Sequence, residues 1–224
     1  MDHLRERTGK AVGKATSEWH TAFSFQFISI KRMNIGNILD IANSKDWRAW
    51  LAKHHNTETE IWLVFYRKGS GKPRISYNDA VMEALSYGWI DSTVKSVDSE
   101  RFVQRFLNRK KTSGLSQMNK ERIRTLIRQK RMTKAGLAAV EHVFDPEKDN
   151  LDEFTIPPDI LQPLKENEQG WVNFQKLPEI CRRIRIAFIE SRKRHGQEQF
   201  QTSLKYFIKM NAKNKRISVI KEME

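Results

Sequence analysis

The stretch "YGWIDSTVKSVDSERFVQRFL", residues 87–107, holds the pattern from which the fold follows. A helical pattern precedes it and stops at Gly88, and glycine suits the left-handed conformation that often follows a helix. Beyond the glycine, residues 90–97 and 101–107 carry β-branched and aromatic side chains, and the polar run at 98–100 separates them. This order predicts a helix, a corner and a β-hairpin in succession.

The corner itself contains the first candidate functional residue. Gly88 and Trp89 are predicted to form a structural corner, and Asp91 follows directly. Asp91 has two interpretations, a general base or a polar anchor that pairs with an arginine. A general base needs a raised pKa, whereas the arginines downstream favour the charged carboxylate. The sequence therefore favours a binding protein over an enzyme, and it identifies no catalytic residue.

Helical and strand patterns flank this stretch on both sides. Upstream, Ser44 is a candidate N-cap for a helix, residues 61–68 resemble a buried strand, and Ser76 caps the helix that ends at Gly88. Downstream, a basic amphipathic helix follows the hairpin, and Thr133 caps another. Helical spacing then dominates the end of the chain. The prediction is an α+β fold, with a small antiparallel sheet and helices followed by an all-helical C-terminal part.

The chain divides into four predicted segments. Residues 1–32 lack periodicity and are predicted to be an extension, either disordered or an upstream-extended start before Met33. An α+β domain is predicted for residues 33–143 and an acidic linker for residues 144–158. The remaining residues, 159–224, are predicted to form the helical domain.

Composition excludes several classes of protein. The single cysteine, Cys181, cannot form an intramolecular disulfide, which favours a reducing, cytoplasmic location. No apolar run is long enough to cross a membrane, so no membrane insertion is predicted. His54 and His55 are adjacent and diverge on a helix, so they do not predict a metal site. The sequence contains no dinucleotide or phosphate-loop motif, and it predicts no cofactor.

The positive charge is concentrated in particular segments. The chain carries a formal net charge of +14, and residues 95–134 hold 13 Lys/Arg against 3 Asp/Glu. Residues 144–170 hold 2 against 8, and residues 171–224 hold 13 against 5. Such asymmetry suggests an anionic small molecule or an acidic protein as the partner, although a solvated helix face also explains it.

The densest donors lie where the second hairpin strand leads into the basic helix. Backbone N–H groups at a helix start would add to their field, so this junction suits phosphate or carboxylate groups. A basic edge strand that is kept soluble by its charges is the alternative. The predicted ligand-binding residues are Asp91, Arg105, Arg109, Lys110, Lys111, Ser113, Ser116 and Asn119.

Nucleic acid is a further candidate partner for the 95–134 surface. Binding of that kind would weaken steeply with salt, because each neutralised phosphate releases counterions. Exposed aromatic side chains among the charges would favour it, but the aromatic residues here mostly occupy core spacing. The nucleic-acid interpretation and the Asp91 enzyme interpretation both stay open at this level.

Several motifs in order also resemble a known family. They are Lys-Gly-Ser-Gly-Lys at 68–72, Gly-Trp-Ile-Asp at 88–91, a basic hydroxyl-rich turn near 109–116 and Arg-Met-Thr at 131–133. From about Trp47 to Val140, and more loosely from Ile156 to Met210, the chain resembles the YdeI/OmpD-associated, or bacteriocin-protection, family. Ser86 and Tyr87 stand where that family usually has Cys-Phe.

The resemblance implies an indirect role in tolerance of bacteriocins or cationic peptides, and no firmly attached reaction. Direct sequestration of cationic peptides is a poor mechanism for a protein of charge +14, because like charges repel.

Overall fold

A computed structural model describes residues 35–146 and 154–215. Four strands form one mixed sheet in the order β1-β2-β4-β3, with β1 at Ile38–Leu39, β2 at Glu60–Tyr66, β3 at Trp89–Ser96 and β4 at Arg101–Asn108. Strand β1 pairs with β2 in parallel, and the other two pairings are antiparallel. The α+β prediction is confirmed, and the predicted hairpin is the β3–β4 pair.

Four helices accompany this sheet within residues 35–146. They are α1 at Ser44–His54, α2 at Tyr77–Ser86, α3 at Gln117–Arg128 and α4 at Lys134–Ala138. Side chains cap α2, α3 and α4 in the way that local sequence dictates, because the hydroxyls of Ser76, Ser116 and Thr133 each accept a backbone N–H three residues on. The predicted caps at Ser76 and Thr133 are confirmed.

The main core lies between the sheet and the helices. Strand residues alternate between two faces, so Ile61, Leu63 and Phe65 point to the same side of β2. They join Trp47 of α1, Leu85 of α2 and other buried side chains in one apolar cluster. At about 25 cal/mol per Å² of apolar area, burial of this cluster is the main term that stabilises the region.

The opposite sheet face holds a smaller cluster of Trp62, Val64, Tyr66 and Val103. The Tyr66 hydroxyl donates a hydrogen bond of 2.7 Å to the Asp40 carboxylate. Burial first, and then the Asp40 carboxylate, raises the pKa of Tyr66 to about 12. The apolar face therefore ends in a hydrogen-bonded pair at the edge formed by β1.

Gly88 and Gly136 allow α4 to lie directly on the end of α2. Gly88 has φ +78°, and a Cβ there would lie 2.5 Å from the Cβ of Ala139. A Cβ on Gly136 would lie 2.3 Å from the Ser86 carbonyl oxygen. That carbonyl accepts a hydrogen bond of 2.6 Å from the Thr133 hydroxyl. At the predicted corner, Gly88 therefore serves both conformation and close packing.

Trp89 completes the corner. Its ring is fully buried, and its indole N–H donates to the His55 carbonyl oxygen at 3.3 Å. The ring also lies edge-on to Trp50, with 5.8 Å between ring centroids. The corner is therefore held by an aromatic cluster that joins the end of α1 to the start of β3.

Four helices follow in residues 154–215. They are α5 at Pro158–Glu166, α6 at Glu168–Gln175, α7 at Glu179–Ser191 and α8 at Gln197–Ala212. They enclose their own apolar cluster, which includes Ile160, Phe174, Ile189, Phe200 and Phe207. The all-helical C-terminal part is confirmed, and α7 also packs against α3.

Three details differ from the sequence predictions. The sheet is mixed and not purely antiparallel, because the two-residue strand β1 adds a parallel pairing. Asn43, one residue before Ser44, is the N-cap of α1, since its side chain accepts the Asp46 N–H. Helix α6 was not predicted. The predicted 1–32 extension and much of the acidic linker lie outside the described residues.

Candidate anion-binding site

Arg109 is the buried charge of the predicted site. Only 8% of it is exposed, at the point where β4 leads into a loop. Its Nη2 group donates to the carbonyl oxygens of Ser113 and Gly114, whereas Nε and Nη1 are buried and have no hydrogen-bond partner among residues 35–146 and 154–215. Burial lowers the pKa of Arg109. A guanidinium with two orphaned nitrogens is a costly group to bury, and an anion would satisfy it.

The loop around Arg109 brings further donors close in sequence. The Arg109 N–H donates to the Gly88 carbonyl at 3.0 Å, which fixes the loop to the corner. Lys110 and Lys111 are exposed, and Ser113 is half-buried. The loop ends at Ser116, whose hydroxyl caps α3 through the Asn119 N–H at 3.3 Å. This segment, residues 109–116, is called the basic loop below.

Asp91 is linked to the start of α2 directly, and Asn119 is linked to it through an arginine. The Tyr77 hydroxyl donates to the Asp91 carboxylate at 2.7 Å. The buried Arg122 guanidinium donates to the side-chain oxygens of Asn119 and Asn78, at 3.0 and 3.1 Å. The hydrogen bond that holds Asp91 thus comes from a tyrosine, where the sequence predicted an arginine. Tyr77 thus anchors Asp91 to α2, and Arg122 connects Asn119 to Asn78 of the same helix.

Arg105 does not join this group. It forms an ion pair with Glu60 across the β2–β4 pairing. Its register partner is Trp62, whereas Asp91 pairs with Phe106. Neighbouring strand residues point to opposite faces, so Arg105 and Asp91 lie on opposite sides of the sheet. The structure therefore separates Arg105 from Asp91, although the sequence predicted that both belong to one site.

A buried ion cluster that the sequence did not reveal lies beside the corner. Glu83 of α2 is 3% exposed and accepts hydrogen bonds from Arg48 of α1 at 2.8 Å and from Arg131 at 2.5 Å. Arg48 also donates to the Arg131 carbonyl and lies over the Tyr87 ring. The spacing of Glu83 among apolar neighbours was the one available signal, because a lone carboxylate on a buried face requires a cationic partner.

These contacts show that the excess of Lys and Arg in residues 95–134 does not all lie on a binding surface. Four of its arginines form ion pairs with carboxylates, and two more, Arg109 and Arg122, are buried. The paired residues are Arg101 with Asp98, Arg105 with Glu60, Arg124 with Glu121 and Arg131 with Glu83. Much of the segment's charge therefore stabilises the fold, and only part of it faces solvent.

The described part of the chain shows neither a metal-ligand cluster nor a membrane-spanning helix. Within residues 35–146 and 154–215, no three His, Cys, Asp or Glu side chains converge as metal ligands would. Among the helices seen there, none combines the length and the apolar character that a membrane crossing requires.

Comparisons with known families match the chain in two places. Residues 39–139 match the model described as "Domain of unknown function (DUF8412)". Residues 153–214 match the model described as "Bacteriocin-protection, YdeI or OmpD-Associated". The chain contains a YdeI/OmpD-associated domain. Comparison with curated proteins and with solved structures gave no match.

The YdeI/OmpD-associated domain is the helical part, α5 to α8. The sequence resemblance was stronger over residues 47–140, yet the matching model for that part is the domain of unknown function. The basic loop, which includes Arg109, lies within residues 39–139, the part that matches the domain of unknown function. The family description therefore concerns a different part of the chain from the candidate anion-binding site.

Proposed function

We propose that the chain is a binding protein that takes a small anion, such as a phosphate or carboxylate group, at the basic loop. The observation that carries this proposal is Arg109, a buried guanidinium whose Nε and Nη1 atoms find no hydrogen-bond partner in the described part of the chain. Its described partners are two neutral carbonyl oxygens, which offer partial charge only. A bound anion would supply the full opposing charge.

The surrounding residues would have distinct roles. Lys110 and Lys111 are exposed and would attract the anion, since exposed charges act mainly through steering. Ser113 and Ser116 would orient it through their hydroxyls. Because the Arg109 nitrogens are buried, the loop must shift to admit a ligand. The site therefore suits a small group in preference to an extended polymer.

Titration calorimetry with pyrophosphate and with inorganic phosphate would test the site. We expect the Lys110→Ala/Lys111→Ala double variant to weaken binding about ten-fold, because it removes two positive charges that attract the anion. The double variant Lys45→Ala/Lys53→Ala is the matched control, since it removes two exposed lysines from α1 and should bind as the wild type does.

Arg109→Lys provides the second arm. It keeps the charge but removes the planar fork, so a folded variant should bind the anion more weakly. The proposal fails if the Lys110→Ala/Lys111→Ala variant and a folded Arg109→Lys variant both bind pyrophosphate as tightly as the wild type. It also fails if the α1 control weakens binding equally, because the effect would then be one of net charge.

The second part of the proposal is a role in bacteriocin or cationic-peptide tolerance, for which no residue-level mechanism is proposed. It rests on the printed description of the family that residues 153–214 match. We propose that the role is indirect and cytoplasmic. The net charge of +14 supports an indirect role, because it opposes direct capture of a cationic peptide.

A further inference from the structure

Two aromatic side chains in the helical domain lie in solvent. Phe188 of α7 is 57% exposed and Tyr206 of α8 is 54% exposed, whereas Phe200 and Phe207 of the same domain are buried. Burial of an aromatic ring is strongly favourable, so two exposed rings on adjoining helices need a reason. The reason is not packing within the described part of the chain.

Arginine side chains lie beside both rings. Arg185 precedes Phe188 by about one helical turn, and Arg192, the residue directly after α7, follows it by about another, so the three side chains lie on the same side of this segment. The Arg192 guanidinium lies 5.8 Å from the centre of the Phe188 ring. Arg185 is close enough to Tyr206 to interact with it electrostatically. Arg185, Phe188, Arg192 and Tyr206 are called the α7–α8 patch below.

The α7–α8 patch lies in a strongly basic segment of the helical domain. Residues 182–213 hold nine Lys/Arg against two Asp/Glu. Ion pairs described here join Arg183 to Glu179 and Lys193 to Asp159 and Glu190. Lys205 and Lys209 are exposed on α8 beside Tyr206. Burial also lowers the pKa of Arg185, as expected for a cation that is partly withdrawn from water.

We propose that the α7–α8 patch binds single-stranded nucleic acid, with Phe188 and Tyr206 stacking on bases and the flanking arginines contacting phosphates. Exposed aromatic rings interleaved with cations are the combination that single strands require, because every unpaired base offers a flat face. A duplex hides those faces, so it would use only the charges. This site is separate from the basic loop and does not depend on it.

Fluorescence anisotropy with the full chain and a short labelled oligothymidine would test the proposal. Phe188→Ala and Tyr206→Ala should each weaken binding about five-fold or more, because each removes a stacking platform. Tyr206→Phe and Phe188→Trp keep the rings and should bind as the wild type does. Arg192→Gln should also lower the slope of log K against log salt by about 0.7.

Val172→Ala is the matched control, since Val172 is an exposed apolar residue of α6 outside the patch. The oligothymidine duplexed with oligoadenine should bind more weakly, and its affinity should not depend on the two rings. The proposal is overturned if both alanine variants bind the single strand like the wild type. It is equally overturned if the rings matter only for anionic phosphatidylserine vesicles or for a poly-glutamate peptide.

The two binding proposals can fail independently. The Lys110→Ala/Lys111→Ala variant should retain ring-dependent binding of oligothymidine. Conversely, Phe188→Ala should leave pyrophosphate binding unchanged. If one variant loses both oligothymidine and pyrophosphate binding, circular dichroism would show whether that variant is unfolded.

Discussion

The two halves of this molecule place several of their arginines differently. In residues 35–146, Arg48, Arg105 and Arg131 form ion pairs with carboxylates that the fold brings close. In the helical domain, Arg192 instead lies over the exposed ring of Phe188, and Lys205 and Lys209 face solvent. Net charge alone does not distinguish these situations. The comparison shows that the number of cations in a basic segment does not by itself indicate a binding surface, because many of them pair with carboxylates within the fold.

The largest expected effect comes from removing a buried partner in the first half. Glu83→Gln would leave Arg48 and Arg131 without their shared carboxylate. We expect the free energy of unfolding to fall by about 2 kcal/mol, less than for fully buried pairs because both arginines reach solvent. Urea denaturation would measure it.

Glu190→Gln is the matched control in the helical domain. Its carboxylate is exposed and lies 3.8 Å from Lys193. We expect a change within about 0.5 kcal/mol. Equal effects of the two glutamine variants would mean that the two halves do not differ in how their ion pairs contribute to stability.

The second prediction concerns alkaline pH and the first half alone. The pKa of Tyr66 is raised from 10.0 to about 12. A group whose pKa is raised on folding stabilises the protein fully below its unfolded pKa, and this contribution is lost as pH rises through the folded pKa. We expect about 2 kcal/mol to be lost between about pH 10 and pH 12.

Tyr66→Phe separates this effect from other alkaline titrations. The variant lacks the hydrogen bond to Asp40, so it should be less stable than the wild type at neutral pH. The gap between the two proteins should close as pH approaches 12. Chemical denaturation at several pH values would measure that gap, and a gap that stays constant with pH would contradict the prediction.

The smallest expected effect lies in the helical domain. Lys193 pairs with Asp159 at 2.8 Å, and both side chains are substantially exposed. Asp159→Asn should lower the free energy of unfolding by about 0.5 kcal/mol, because solvent screens exposed pairs. The difference should shrink further in high salt. A loss as large as that of Glu83→Gln would show that this surface pair is structurally essential.

Local signals explain what the sequence predicted correctly about the fold. Gly88, Ser76 and Thr133 were identified because caps depend on residues a few positions apart. Strand β1 escaped prediction because it has two residues and pairs in parallel with a strand distant in sequence. Helix α6 is short and contains Gly170, which weakens a helical pattern.

The candidate site was harder to predict because it depends on long-range contacts. Arg105 and Arg109 are four residues apart, yet one pairs with Glu60 across the sheet and the other is buried in the basic loop. The Asp91 partner, Tyr77, comes from the start of α2. Composition gave the charge of these residues correctly, but only the assembled fold decides which of them face solvent.

Cys181 has a practical consequence for experiments. It is the one cysteine in the sequence, and 2% of it is exposed in the helical domain. A thiol reagent can reach it only when α7 opens, so its rate of modification measures that local opening directly. An introduced surface cysteine would react much faster. The modification rate of Cys181 therefore reports how often the helical domain opens locally. A dye can also be attached to an introduced surface cysteine without first removing Cys181, because the native thiol is buried.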